Sequence, residues 1–214
     1  MRYELLDLGE LLQSLVIKKN PEFLDELIQE NLDKRILVLN DEISVDILER
    51  CSLYILKWNA EDKNIPVEKR KPIWLYLQTP GGDVVAGFNL VDVIQASETP
   101  VYTVCFSDCA SMGFHIFISG HKRYAFKNSI LLIHDGEITV NNSSSKAKDT
   151  MKFFETLDKR IKNHVTSSTK ITNEFYDSIY DKEYYIYANE EGKELGCVDY
   201  IIGEDVPMST ILVE

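Results

Sequence analysis

Residues 105–135 read CFSDCASMGFHIFISGHKRYAFKNSILLIHD, and the fold and the chemistry of the chain are read outward from them. The segment holds two side chains able to act together: Ser111, in Ala110-Ser111-Met112-Gly113, and His134, at the end of the apolar run Ile130-Leu131-Leu132-Ile133. A serine hydroxyl is a poor nucleophile at neutral pH unless a base takes its proton, and imidazole is the side chain whose ordinary pKa suits that task. Ser111 follows a strand-like stretch, Val101 to Cys105, and opens a helix-like one, Met112 to Ser119, closed by Gly120. A nucleophile at a strand-to-helix turn has the unpaired N–H groups of the helix start beside it, and these can hold a developing oxyanion. Taken alone, an A-S-M-G tetrapeptide is a helix cap and a strand-end histidine is a structural residue. Their combination is what points to catalysis.

The totals set the class. A chain of 214 residues with 44% hydrophobic content suits one domain with a sizeable core. Twenty-three basic against 35 acidic side chains give a net charge of −12, which argues against nucleic acid or an anionic membrane as partner. Cys51, Cys105, Cys109 and Cys197 form no C-x-x-C pair and have no histidine at zinc spacing, so buried free thiols in a reducing compartment are expected, with no metal and no cofactor. The start, Met1-Arg2-Tyr3-Glu4, lacks a basic then apolar leader, and no run approaches 18 apolar residues. A cytoplasmic protein is expected.

Residues 1–33 read as two amphipathic helices forming an N-terminal extension, the first with Leu5, Leu8, Leu12 and Val16 at helical spacing, the second over Pro21 to Asn31. Residues 34–214 read as one α/β domain. Ile36 to Leu39 is a strand expected to be buried on both faces, and Ser44 is placed to cap a helix through Trp58. Asn59 to Lys71 reads as a solvated loop. A second strand, Ile73 to Leu77, runs into Thr79-Pro80-Gly81-Gly82 and a helix over Asp83 to Ala96. Strand–helix alternation of this kind predicts right-handed parallel crossovers, with sites gathered at the carboxyl ends of the strands. The Gly-Gly turn, Ser111 and His134 all lie just past such ends. A Gly-Gly pair by itself is a turn needing unusual backbone angles; neither phosphate-loop pattern surrounds it. Farther on, Glu137 to Val140 alternates like a strand. A long helix is expected over Ser145 to Ser167, a shorter one over Asn173 to Tyr180, another over Glu190 to Leu195, and a last strand over Cys197 to Ile201.

Several ordered segments resemble the proteolytic subunit of the Clp protease, which has a crotonase-like fold. They are RILVLNDEI from residue 35, LYLQTPGGDVVAGFNLVD at 75–92, CASMG at 109–113, KNSILLIH at 127–134 and ELGCVD at 194–199. The resemblance implies a parallel-sheet core with flanking helices and a projecting strand–helix handle. It implies a serine endopeptidase acting on unfolded proteins inside a homo-oligomeric chamber of stacked seven-membered rings, served by an AAA+ unfoldase. Residue by residue, Ser111 matches the nucleophile, His134 the base, and the backbone N–H groups of Gly82 and Met112 the oxyanion hole. Gly81 to Val84 and Gly136, Glu137 and Ile138 match strands that hold an extended peptide by main-chain hydrogen bonds. The family's third member is an aspartate after the penultimate helix. A gapless alignment from Gly196 sets Tyr180 at that place; a shift of one residue nominates Asp181, with Asp177 as second choice. Ser107 stands where the family usually has glycine, and residues 1–33 do not resemble its N-terminal loop. A catalytically inactive ring or scaffold subunit is the rival expectation.

Overall fold

The computed structural model describes residues 21–136 and 143–213. The described residues fall into two units, residues 21–36 and residues 37–213. In the first, helix α1 spans Pro21–Asp33. It ends where Lys34 N donates to Glu30 O (3.2 Å), Arg35 N donates to Leu32 O (3.0 Å) and Arg35 takes a φ of 59°. The helix expected before residue 20 lies outside the described residues.

The second unit is built on a seven-stranded sheet. Its strands are β1 (Ile36–Leu39), β2 (Ile73–Thr79), β3 (Val101–Ala110), β4 (Lys122–Phe126), β5 (Ile130–Ile133), β6 (Tyr184–Tyr187) and β7 (Tyr200–Ile202). The main path runs β1-β2-β3-β4-β7, and β5 pairs with β3 and β6 off this path. Pairings β2–β3, β3–β4, β3–β5 and β4–β7 are parallel, whereas β5–β6 is antiparallel. The helices are α2 (Leu53–Asp62), α3 (Val84–Ala96), α4 (Met112–Ile118), α5 (Ser144–Ser168), α6 (Asn173–Ile179) and α7 (Glu191–Glu194); parallel strands demand crossovers, and α3 and α4 supply them for β2–β3 and β3–β4.

One irregularity decides where the site falls. Leu77 pairs with Cys105, but Thr79 pairs with Cys109, so β3 carries two extra residues over that interval and bulges through Phe106–Asp108. A bulge bends and twists its strand. The first part of β3, Tyr102 to Cys105, therefore pairs with β4, and the last part, Asp108 to Ala110, turns to pair with β5. Ser107, the residue standing in place of a glycine, sits in this bulge, and its Oγ donates to Asp108 Oδ1 at 2.6 Å.

Behind the sheet lies α4, all seven of whose residues are buried, as befits a helix apolar on every side. It locks onto α3 because Gly87 leaves room for Met112: a Cβ there would stand 2.3 Å from Met112 Cγ. The long helix α5 joins this layer at its C-terminal end. His164 Nε2 donates to His115 O (3.0 Å), and Val165 is fully buried.

Four local expectations differ from the structure. Val38 on β1 is 43% exposed, so that strand is not buried on both faces. Ser44 bonds the Asp46 carboxylate instead of a helix end, and the helical path begins as a π-turn at Leu48–Ser52. Within the stretch expected to be solvated, helix α2 continues to Asp62, and Arg70 is buried; its Nη2 meets Glu98 at 3.1 Å and its Nε donates to Ile65 O at 2.9 Å. Strands β4 and β6 were not expected from the sequence. All four cysteines are free and buried; burial pushes the thiols of Cys51 and Cys197 up to about 12, the inert state of a core thiol.

Candidate active site

The carboxyl ends of β2, β3 and β5 meet, and the turn after each strand brings one part of the site. After β2, Thr79 fixes the Gly-Gly turn: its Oγ1 donates to Asp41 O (2.7 Å) and accepts from Gly81 N (3.1 Å). Ile43 then zips along the turn. Its N–H donates to Gly81 O and its carbonyl accepts from Asp83 N, both at 2.8 Å. Gly81 and Gly82 have φ of 100° and 142°, where an L side chain is strained. Space excludes one as well. A Cβ on Gly82 would lie 2.4 Å from Ile43 O, and one on Gly81 would lie 2.7 Å from Ser111 Cβ and 3.1 Å from Met112 N. The glycine turn is thus pressed directly against the serine.

Ser111 is half-buried and has φ 52°, ψ −121°. Only one other described non-glycine residue, Arg35, has positive φ. Such an angle takes the residue out of the pleat alternation of β3 and costs about 1–3 kcal/mol, which the surrounding structure must enforce. The enforcement is visible: Ser111 N donates to Leu132 O (3.0 Å), and Ser111 O accepts from Phe114 N (3.0 Å). Met112 opens α4, so its N–H has no intrahelical acceptor. Gly113 packs so closely on β2 that a Cβ would meet Thr79 Cγ2 at 2.5 Å.

The β3–β5 register sets Ala110 beside Leu132. Ser111 therefore falls beside Ile133, and His134 is the next residue along, about one strand spacing (roughly 4.8 Å) away laterally. Among the described residues no hydrogen bond joins the Ser111 hydroxyl to His134, and Ser111 makes no cap bond with its side chain. His134 instead shows where its other nitrogen is held: Nδ1 lies 2.9 Å from Glu183 Oε1. An ionised carboxylate only accepts, so that contact requires the proton on Nδ1 and leaves the Nε2 lone pair for a hydroxyl.

The carboxylate at His134 differs from the expected one. Asp177 is engaged elsewhere, by Lys162 Nζ at 2.6 Å. Asp181 lies exposed on the turn between α6 and β6, two residues before Glu183. Tyr180, at the position that a gapless alignment selects, has no carboxylate and lies near Asp158 of α5. The antiparallel register pairs Ile133 with Tyr184, and its continuation sets His134 opposite Glu183. Asp181 lies two residues farther along, on the turn beyond that pairing. The only sequence signal was the β-prone run Tyr184-Tyr185-Ile186-Tyr187, which marks a strand but does not set its register.

Of the segments expected to cradle a peptide, Gly81 and Gly82 remain extended beside Ile43, with a parallel bridge between Ile43 and Gly82. Asp83 accepts from Ala86 N (2.8 Å) as the cap of α3, and Val84 is already helical. The extended stretch is therefore shorter than the resemblance implies, because the cap turns the chain. Gly136 is exposed with open space about its Cα. Glu137 and Ile138 lie outside the described residues. Among the described residues no cluster of three metal-ligating side chains occurs, and no helix is long and apolar enough to cross a membrane.

Fold and site together define a mixed α/β protein, its mostly parallel sheet flanked by helices, with a strained serine, a histidine and a glycine turn gathered at adjoining strand ends. The chain belongs to the Clp protease family, whose model, described as Clp protease, matches residues 19–205. Among curated relatives, it is 30% identical over 179 residues to ATP-dependent Clp protease proteolytic subunit 3 of Parasynechococcus marenigrum, covering 79% of this chain and 82% of that protein. It is 28% identical to proteolytic subunit 2 of Bifidobacterium longum, over 83% of this chain and 84% of the relative. Against proteolytic subunit 2 of Bacillus licheniformis the identity is again 28%, over 80% and 87%. At this distance the chain is a divergent member.

Proposed function

We propose that this protein is a serine endopeptidase of the Clp proteolytic-subunit type, cutting unfolded chains or peptides in an oligomeric chamber. Ser111 Oγ attacks the scissile carbonyl while His134 Nε2 takes its proton and later delivers it to the leaving amine. The N–H groups of Gly82 and Met112 receive the oxyanion. The observation that carries this reading is the conformation of Ser111: a φ of 52° at a strand-to-helix turn, pinned to β5 two residues before His134 and packed against Gly81. Backbone strain of that kind persists where function requires it. The missing serine–histidine hydrogen bond is compatible, because catalytic bonds tighten when substrate binds.

Assembly is supported by the long helix α5, on which Met151 and Phe153 are 45% and 52% exposed; a second copy of the chain is the natural cover for them. A ring of seven, a stacked pair of rings, an AAA+ unfoldase partner and a cytoplasmic site of action complete the proposal. The inactive-scaffold reading draws on the same unmade Ser111–His134 bond. Hydrolysis of a fluorogenic peptide by the assembled protein separates the two: wild type turns over and Ser111→Ala loses roughly 10³-fold or more. Equal rates for the two proteins would refute the peptidase, and activity only in mixtures with a second subunit would favour the scaffold.

A further inference from the structure

We propose that Glu183 is the residue that positions His134, taking the role for which Asp181 and Asp177 were the sequence candidates; the proposal rests on the serine-peptidase reading of Ser111 and His134. Three observations converge. Glu183 Oε1 lies 2.9 Å from His134 Nδ1. The β5–β6 register, from Ile130 opposite Tyr187 to Ile133 opposite Tyr184, continues to His134 opposite Glu183, so the contact follows from strand pairing and not from a chance side-chain pose. The second carboxylate oxygen has its own tie, from Tyr185 Oη at 3.5 Å, and Tyr185 stands opposite Leu132 in the same ladder.

The competing carboxylates are accounted for. Asp177 accepts from Lys162, and Asp181 lies exposed on the turn ahead of β6. The proton bookkeeping is simple: Nδ1–H donates to Glu183 throughout, Nε2 accepts the Ser111 proton on attack, and the imidazolium so formed has the carboxylate beside it. An acid immediately before the first residue of β6 sits across from the imidazole, where an acid farther back on the turn does not, and the extra methylene of glutamate gives it the reach. The pair is also exposed, with Glu183 58% accessible in the single chain. Exposed ion pairs contribute little to folding. Its loss should therefore damage chemistry and leave the fold intact.

The test uses the full chain in its assembled state, with Glu183→Gln, Glu183→Asp, Asp181→Asn and Asp177→Asn beside wild type. The readouts are the rate of labelling by a biotin-linked fluorophosphonate and the ¹⁵N spectrum of histidine-labelled protein, with His134 assigned by His134→Gln. Glu183→Gln should slow labelling by about 10²–10⁴-fold, Glu183→Asp should fall between it and wild type, and both aspartate variants should stay within about twofold. Wild-type His134 should show a single Nδ1–H tautomer that becomes a mixture in Glu183→Gln, with an unchanged melting temperature. Labelling of Glu183→Gln within about threefold of wild type, or a loss confined to Asp181→Asn, would overturn the assignment. Should wild type not label at all, the peptidase reading fails by itself. The tautomer then still decides for Glu183, and an unchanged His134 spectrum in Glu183→Gln would overturn it.

Discussion

Replacing Gly81 by alanine probes the packing that holds the serine in place. The new Cβ would stand 2.7 Å from both Ala110 O and Ser111 Cβ and 3.1 Å from Met112 N, with φ at +100°. None of the three neighbours is the far end of a flexible side chain, so none can swing away. An L residue at such an angle costs about 1–3 kcal/mol, and forcing extra volume into a packed site costs about 1–3 kcal/mol more. Urea unfolding should therefore show Gly81→Ala destabilised by roughly 2–6 kcal/mol relative to wild type. If the variant relaxes instead by pushing Ser111 away, a displacement near 1 Å lowers reactivity by about 10²-fold. Gly136→Ala is the matched comparison: nothing lies within 4 Å of its added Cβ and φ needs no adjustment, so stability should stay within about 0.5 kcal/mol. A Gly81→Ala protein with wild-type stability and labelling rate would show that the glycine turn does not hold the serine.

Ser111→Gly should raise stability by about 1 kcal/mol, by releasing the strained φ, while abolishing fluorophosphonate labelling; urea midpoints and labelling gels check the two halves. Acid should weaken the fold through His115. Burial, aided by His164, pushes its pKa down from 6.5 to about 3. The unfolded chain then binds the extra proton, so stability is full above pH 6.5 and falls by about 1.4 kcal/mol per pH unit below it, towards pH 3. Thermal scans at pH 7.5 and 5.5 should show this loss, and His115→Phe, which removes an imidazole whose Nδ1 has no partner, should flatten it. Arg70→Ala should cost about 2–3 kcal/mol in urea unfolding, because Ile65 O and Thr99 Oγ1 lose a buried donor.

How far the sequence reached follows from which features are local. Ser111, His134 and the Gly81-Gly82 turn were legible because each sits at a recognisable strand end, where residue type and chain direction change together. Helices α3, α4 and α6 were legible as segments between strand and turn signals, and the structure shows Asp83 and Thr172 capping α3 and α6. Strand β4, Lys122-Arg123-Tyr124-Ala125-Phe126, was hidden because its polar side chains are satisfied by tertiary partners: Arg123 forms a forked bond to Asp199, at 2.7 and 3.0 Å. Glu183 was hidden for a different reason. Its place opposite His134 depends on the register between two strands separated by some fifty residues, including the whole of α5, and no local pattern encodes that number. The bulge in β3 was equally silent, though it is what swings Ser111 towards β5.

The central claim is that Ser111 is a nucleophile with His134 as its base. Mass spectrometry of the assembled protein after fluorophosphonate treatment tests it directly. The account predicts one adduct per chain, carried on the Ser111 hydroxyl in wild type and at least about 10²-fold slower to form in His134→Ala. A folded, assembled protein that takes up no adduct at Ser111, or takes it up equally fast without His134, would contradict it.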